Sequence, residues 1–242
     1  MKILAIDTAT EACSAALLIE EQGEVTIDEI FEVCPQQQSQ RILPMLDELL
    51  SRNNLNVSDL DALAYGRGPG SFTGVRIASS TIQGLALGAD LPVLEISTLA
   101  AMSQECAKRC QVKHVLSLID ARMGEVYFGL YEYDLQTGVV SLLGQEAVIP
   151  PADVIHRVAR ILPEKHESIM SEFGFAGTGF DAYRQELGEK LQINGIKVNY
   201  PSAKYMLPLA KKMLESGNTV NVEDISPVYL RDKVTWKKLP NK

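Results

Sequence analysis

A chain of 242 residues, 46% hydrophobic and 22% charged, can bury a substantial core, which excludes a disordered or collagen-like protein and leaves one large domain or two smaller ones. The formal net charge of −8 repels phosphate backbones, so the composition argues against independent, non-specific nucleic-acid binding, and any RNA would be held mainly by something else. MKILAID runs from a few apolar residues straight into an aspartate and fits neither a signal segment nor a membrane span. Four cysteines (Cys13, Cys34, Cys106, Cys110) are too sparse for a disulfide framework, so a cytoplasmic chain with reduced thiols and no membrane contact is expected.

KILAID (2–7) and CSAALLIE (13–20) are short apolar runs separated by the turn-like TATEA, and they predict adjacent strands. EVTIDEIFEV (24–33) follows Gln22-Gly23 and predicts a third strand by hairpin. Ile42, Leu46, Leu49 and Leu50 share one helical face, although Pro44 is acceptable only in a first turn or as a kink. LDALAYG (60–66) reads as a buried strand, 74–88 as a helix rich in small residues, LPVLEIS (91–97) as a strand and 98–110 as another helix.

The same succession then begins again. Strands are expected at 113–120, 124–133 and 138–149, followed by helix 151–162, strand 168–177, helix 181–191, strand 194–200 and helix 202–214. Each half opens with an apolar strand ending in aspartate, Asp7 and Asp120. Two β-β-β-α-β-α-β-α halves resemble the duplicated α/β actin-like ATPase fold (ASKHA, RNase H-like), with a cleft between the halves at the strand ends. The expected divisions are 1–110 and 111–220, with 221–242 as a tail packing back on the first unit.

Gly66-Arg67-Gly68-Pro69-Gly70-Ser71-Phe72-Thr73-Gly74 lies between a buried strand and a helix. Its glycines permit positive φ and close backbone approach, and a helix N-terminus offers unpaired N–H groups, so a phosphate loop is one reading. The other is a tight connection that lets the helix pack hard on the sheet. It is not a Walker A loop, because no lysine follows, and the simplest role for Ser71 is an N-cap. A serine triad would need a histidine converging on Ser71, and His114, His156 and His166 all lie in the second half. Cys106, Cys110 and His114 are spaced by four, but an apolar-lined helix face accounts for both cysteines without zinc.

GRGPGSFTGVRI followed by QGLALG, together with ILAIDTAT, DARMGEVYFGLY (120–131) and PVYLRD, resembles the TsaB (YeaZ) family over nearly the whole length, in the same order and spacing. The resemblance implies a non-catalytic relative of TsaD, the enzyme that attaches threonylcarbamoyl to the adenosine beside the anticodon of certain tRNAs. It implies TsaD as obligate partner, TsaE joining the assembly, tRNA held only through the complex, and homodimers where TsaD is absent. TsaD-type catalysis uses a metal held by an H-x-x-x-H pair; here Thr98 and Met102 stand in those places, and neither replaces imidazole. No catalytic or metal residue is therefore expected.

Asp7 and Thr8 occupy the phosphate turn of actin-like ATPases, but Ala9 replaces its usual glycine, and a Cβ there crowds a phosphate. Asp7, Thr8, Gly68, Gly70, Ser71 and Gly177, the last in an adenosine-side glycine loop, are thus read as a vestigial nucleotide site. No cofactor of its own is implied, and ATP or ADP at the junction with TsaD is left open. The resemblance places partner binding on the first two helices, with Leu43, Leu46 and Leu50 filling the contact beside Val75, and Arg76, Ser79 and Gln83 bordering it. Gln38 stands where a family histidine is expected, and the basic stretch around Trp236 reads as a solvated extension. The alternatives are an independent actin-like ATPase or kinase, a glycoprotease-like metallohydrolase, and more remotely an RNase H-like nuclease, for which Asp7 lacks an evident acidic companion.

Overall fold

The computed structural model describes residues 1–163, 173–187 and 198–231. The first sheet contains β1 (Lys2–Asp7), β2 (Ala12–Glu21), β3 (Glu24–Val33), β4 (Ala62–Gly66) and β5 (Val93–Ile96), in the order β3-β2-β1-β4-β5. β1 is antiparallel to β2 and parallel to β4. Gln22 (φ 51°) and Gly23 (φ 85°) form the β2–β3 turn. Two successive left-handed residues match the twist of a two-residue hairpin, which is why that dipeptide sets Glu21 opposite Glu24.

β1 is apolar at every position but its ends because both of its faces are covered. On one side α1 (Gln38–Arg52) and α2 (Phe72–Ala89) bring Ile42, Leu49 and Ile82 against Leu4, Ile6 and Leu17. On the other, α7 (Ala203–Glu215) sets Met206 and Leu207 against Ile3, Ala5 and Leu18. This last helix follows the second unit in chain order, yet it packs on the first sheet. α1 begins at Gln38, so Pro44 falls in its second turn; Pro44 is exposed, and its missing N–H frees the carbonyl of exposed Gln40 to water.

The second sheet holds β6 (His114–Arg122), β7 (Glu125–Asp134), β8 (Val139–Leu142), β9 (Ala147–Ile149) and β10 (Phe173–Ala176), ordered β10-β6-β7-β8, with β9 also on β7. α3 (Thr98–Cys110) covers one face through Leu99, Met102 and Cys106, and α4 (Val154–Ile161) covers the other through Val154 and Val158. α3 also touches α7, so these two helices form the layer between the sheets. β10 runs parallel to β6 as β4 does to β1. The architecture is the α/β actin-like fold used twice.

The second half departs from expectation in detail. The run 138–149 is two strands along one edge of β7, because Gly144 takes φ 76° between them. The strand expected at 168–177 is Phe173–Ala176 among described residues; where helix 181–191 was expected, the described residues form two single turns, α5 (Gly179–Ala182) and α6 (Arg184–Leu187), and 188–191 lie outside the described residues. Of strand 194–200, Val198 makes an isolated parallel bridge to Ala176, and the earlier part lies outside the described residues.

Candidate functional site

At the end of β1, Asp7 is 1% exposed. Its carboxylate accepts hydrogen bonds from the Ala9 amide at 2.8 Å and the Thr98 hydroxyl at 3.0 Å. Burial pushes its pKa up to about 7 against the lowering effect of those two donors. Thr98, standing where the family's metal ligand is expected, serves this acid, and Met102 is fully buried in the core.

The glycine-rich connection presses directly on the turn after Asp7. The Ser71 amide donates to the Ala9 carbonyl at 2.7 Å, and the Thr8 hydroxyl donates to the Gly74 carbonyl at 2.7 Å. A Cβ at Gly70 would lie 2.4 Å from the Ala9 carbonyl oxygen, and one at Gly74 would lie 2.1 Å from that of Thr8. Glycine at these two positions is therefore required by packing. Ser71 caps α2, accepting from the Gly74 amide at 3.3 Å. The space between the two turns is taken up by these bonds and by the Thr8 and Ala9 carbonyls. Gly70 and Ser71 face the cleft, whereas Asp7 and Thr8 are sealed beneath the turn.

The second half has a corresponding turn, but its aspartate stays at the cleft wall. Asp120 accepts from the Arg122 amide, the Arg122 guanidinium and the Tyr183 hydroxyl, each at 2.8 Å. Gly177 (φ 109°) has its Cβ position 2.0 Å from the Leu118 carbonyl oxygen, so it too is a packing glycine. Between the halves lies a cleft of about 820 Å³ walled by Glu11, Gln38, Ser71, Asp120, Arg122 and Thr178. Gln38 donates from Nε2 to the Thr10 carbonyl at 2.7 Å, tying the start of α1 to the β1–β2 turn. Among the described residues no three His, Cys, Asp or Glu side chains are grouped to hold a metal. The Cys106 and Cys110 sulfurs lie 4.0 Å apart, while His114 opens β6 and stacks on Phe173.

The helical surface is also redrawn. Leu46 (3% exposed), Leu50 (9%), Val75 (1%) and Ser79 (6%) face the chain's own sheet and cannot fill an external contact. Leu43, Arg76 and Gln83 are exposed. A groove of about 410 Å³ runs between α1 and α2, lined by Leu43, Phe72, Arg76, Ile77 and Ser80 among others. The Arg76 guanidinium lies 3.2 Å from the Phe72 ring centroid, and Gln83 donates to the Val222 carbonyl at 3.1 Å. Farther along α2, Leu87 is 70% exposed, and Cβ positions at Gly84 and Gly88 meet nothing within 4 Å. Phe72, Ser80 and Leu87 were not singled out from sequence. The signal was the four-residue rhythm of Ala78, Ile82 and Ala86, which fixes the inner face and so the outer one.

A doubled actin-like fold, with a buried aspartate at the first turn, a half-buried one at the second and an open apolar groove on its first two helices, belongs to the class that includes TsaD. The family model described as TsaD, tRNA N6-adenosine threonylcarbamoyltransferase, matches residues 31–239. The chain is 46% identical over 244 residues to the tRNA threonylcarbamoyladenosine biosynthesis protein TsaB of Escherichia coli K12, with both chains covered completely. It is 41% identical to the Haemophilus influenzae protein of the same name, over 100% of this chain and 98% of that one. The solved structure of YeaZ from Pseudomonas aeruginosa superposes with a TM-score of 0.77 at 38% identity, covering 95% of this chain and 99% of the other. The chain belongs to the TsaB (YeaZ) family of tRNA threonylcarbamoyladenosine biosynthesis proteins.

Proposed function

We propose that this chain is a non-catalytic scaffold that docks TsaD, and through it TsaE, for threonylcarbamoylation of the adenosine next to the tRNA anticodon. The observation that carries the reading is the exposed α1–α2 face, where Leu43, Phe72 and Leu87 stand open to solvent beside Gly84 and Gly88. Glycine in a helix interior costs roughly 1 kcal/mol relative to alanine, and among the described residues nothing meets a Cβ placed at Gly84, or at Gly88 near the end of α2. A second helix pair approaching closely would use that space. The homodimer formed without TsaD uses the same face in an isologous arrangement. Nucleotide, where the complex carries it, sits at the junction with TsaD rather than in the turn after Asp7, whose polar groups are already paired.

Size-exclusion with light scattering, run with and without TsaD, tests the reading. Leu43→Glu and Leu87→Glu should abolish heterodimer formation while the circular dichroism stays that of the parent, because neither side chain lies in the core. Undiminished association would remove the face from the interface. ATP turnover by the purified chain at ordinary enzymatic rates of about 1–1,000 s⁻¹ would instead support the independent ATPase reading.

A further inference from the structure

The segment 220–231 runs the length of the first unit before it reaches the second. The Val220 amide donates to the Val93 carbonyl at 2.9 Å, the Ser226 amide to Glu95 at 3.4 Å, and the Val228 amide to the Arg67 carbonyl at 2.9 Å. The Tyr229 ring then lies tilted on Phe72, with centroids 5.8 Å apart. Two residues later the attachment changes sides. Arg231 donates from Nη1 to the Ala121 carbonyl at 3.1 Å and from Nη2 to the Arg122 carbonyl at 3.2 Å, and it is ion-paired with Glu125. All three acceptors belong to the β6–β7 hairpin of the second unit.

That hairpin has the geometry of a receptor for the guanidinium. Arg122 (φ 63°), Met123 (φ 57°) and Gly124 (φ 77°) are successive left-handed residues, and the β6–β7 register shifts between Asp120 and Arg122. Left-handed backbone at two consecutive non-glycine residues persists only where surroundings hold it. A planar fork that bonds both carbonyls and the Glu125 carboxylate together does so. Another ion pair between the units, Arg122 with Glu11 at 3.4 Å, has its arginine side chain 75% exposed, against 17% for Arg231. The solvated pair contributes little.

We propose that Val228–Arg231 form a strap across the mouth of the cleft, with Arg231 as the lock that sets the angle between the two units. Tyr229 fixes the strap to the start of α2, and Arg231 fixes it to the hairpin, so the strap spans from the first unit to the cleft wall of the second. The strap joins parts of one chain and is tested on the chain alone, although its anchor Phe72 is also a wall of the helical groove.

The test is a double-mutant cycle on the full chain. Spin labels on Ser58→Cys in the first unit and Gln136→Cys in the second report the distance between units, and hydrogen exchange reports the hairpin and tail amides. Arg231→Gln should broaden and lengthen the distance distribution and speed exchange at 121–126 and 226–230 by about tenfold or more. Glu125→Gln should move both readouts in the same direction, and the double variant should go no further than Arg231→Gln. Should Arg231→Gln destabilise the chain too far, Arg231→Lys, which keeps the charge but loses the fork, gives an intermediate distance. An unchanged distance distribution in folded Arg231→Gln, or effects of the two single variants that simply add, would overturn the strap.

Discussion

Asp7 shows how a residue can keep an ATPase-like position while its surroundings give it another task. Its carboxylate is buried against Gly66, where a Cβ would lie 1.9 Å from Oδ2, and it receives the Ala9 amide and the Thr98 hydroxyl. With the folded pKa raised from 3.8 to about 7, Asp7 favours the native state while protonated, and that contribution is lost as pH rises from about 4 through 7. Asp7→Asn should therefore be nearly as stable as the parent at pH 4 and more stable at pH 8. The difference should reach a few kcal/mol, at about 1.4 kcal/mol per pKa unit. Urea unfolding at the two pH values measures it, and a gap that stays constant with pH would contradict the burial argument. At Gly74 the outcome is opposite in sign: Gly74→Ala puts a methyl into the Thr8 carbonyl and should cost several kcal/mol, on the order of 3 or more, in the same assay.

Each of the first two helices divides into an inner and an outer face. On α1, Ile42, Met45, Leu46, Leu49 and Leu50 are spent on the core, which leaves Leu43 as the exposed apolar side chain of its middle turns. On α2 the inner row is Val75, Ala78, Ile82 and Ala86, and the outer row contains Arg76, Ser80, Gln83, Gly84 and Leu87. This division separates stability from binding. Leu49→Ala should cost roughly 2–5 kcal/mol by opening a cavity in the core. Gly84→Ala should raise the stability of the isolated chain by about 0.5–1 kcal/mol, since its Cβ enters open space. On the scaffold reading the same alanine weakens TsaD association, because it fills the gap a partner helix would occupy. Thermal melts and a binding titration on this one variant should move in opposite directions, and improved stability with unchanged affinity would argue that Gly84 faces solvent in the complex.

The two units are held together by more than chain connectivity. α3 and α7 lie in contact between the sheets, with α7 resting on the first sheet and α3 on the second. Ser97 at the end of β5 and Tyr131 of β7 share the carboxylate of Glu146, which lies within 4.0 Å of Arg67. Burial and the neighbouring Glu146 hold the Tyr131 phenol well above its ordinary pKa, so it acts as a donor throughout the physiological range. Met206→Ala on α7 should therefore destabilise the first sheet, although the residue follows the second unit in sequence. A loss of roughly 2–5 kcal/mol with faster exchange in β1 and β2 is expected. A loss felt only in β6 and β7 would mean that α7 belongs to the second unit.

Much of this was legible in the chain itself. Apolar runs ending in Asp7 and Asp120 fixed the doubled strand order, Gln22-Gly23 fixed a hairpin, and Ser71 was readable as a cap, because all three depend on neighbours close in sequence. The glycines at 66–74 announced a close approach, but not what approached: only the folded backbone shows that Ala9 and Thr8 occupy the space. Likewise, a leucine at helical spacing is apolar whether it meets its own sheet or a partner. Leu46 and Leu50 were placed in the core, and Leu87 outside, by the rotation of each helix about its axis on the sheet. That rotation is set by long-range packing, as is the strap from Tyr229 to Arg231, whose residues lie more than 100 positions from the hairpin they hold.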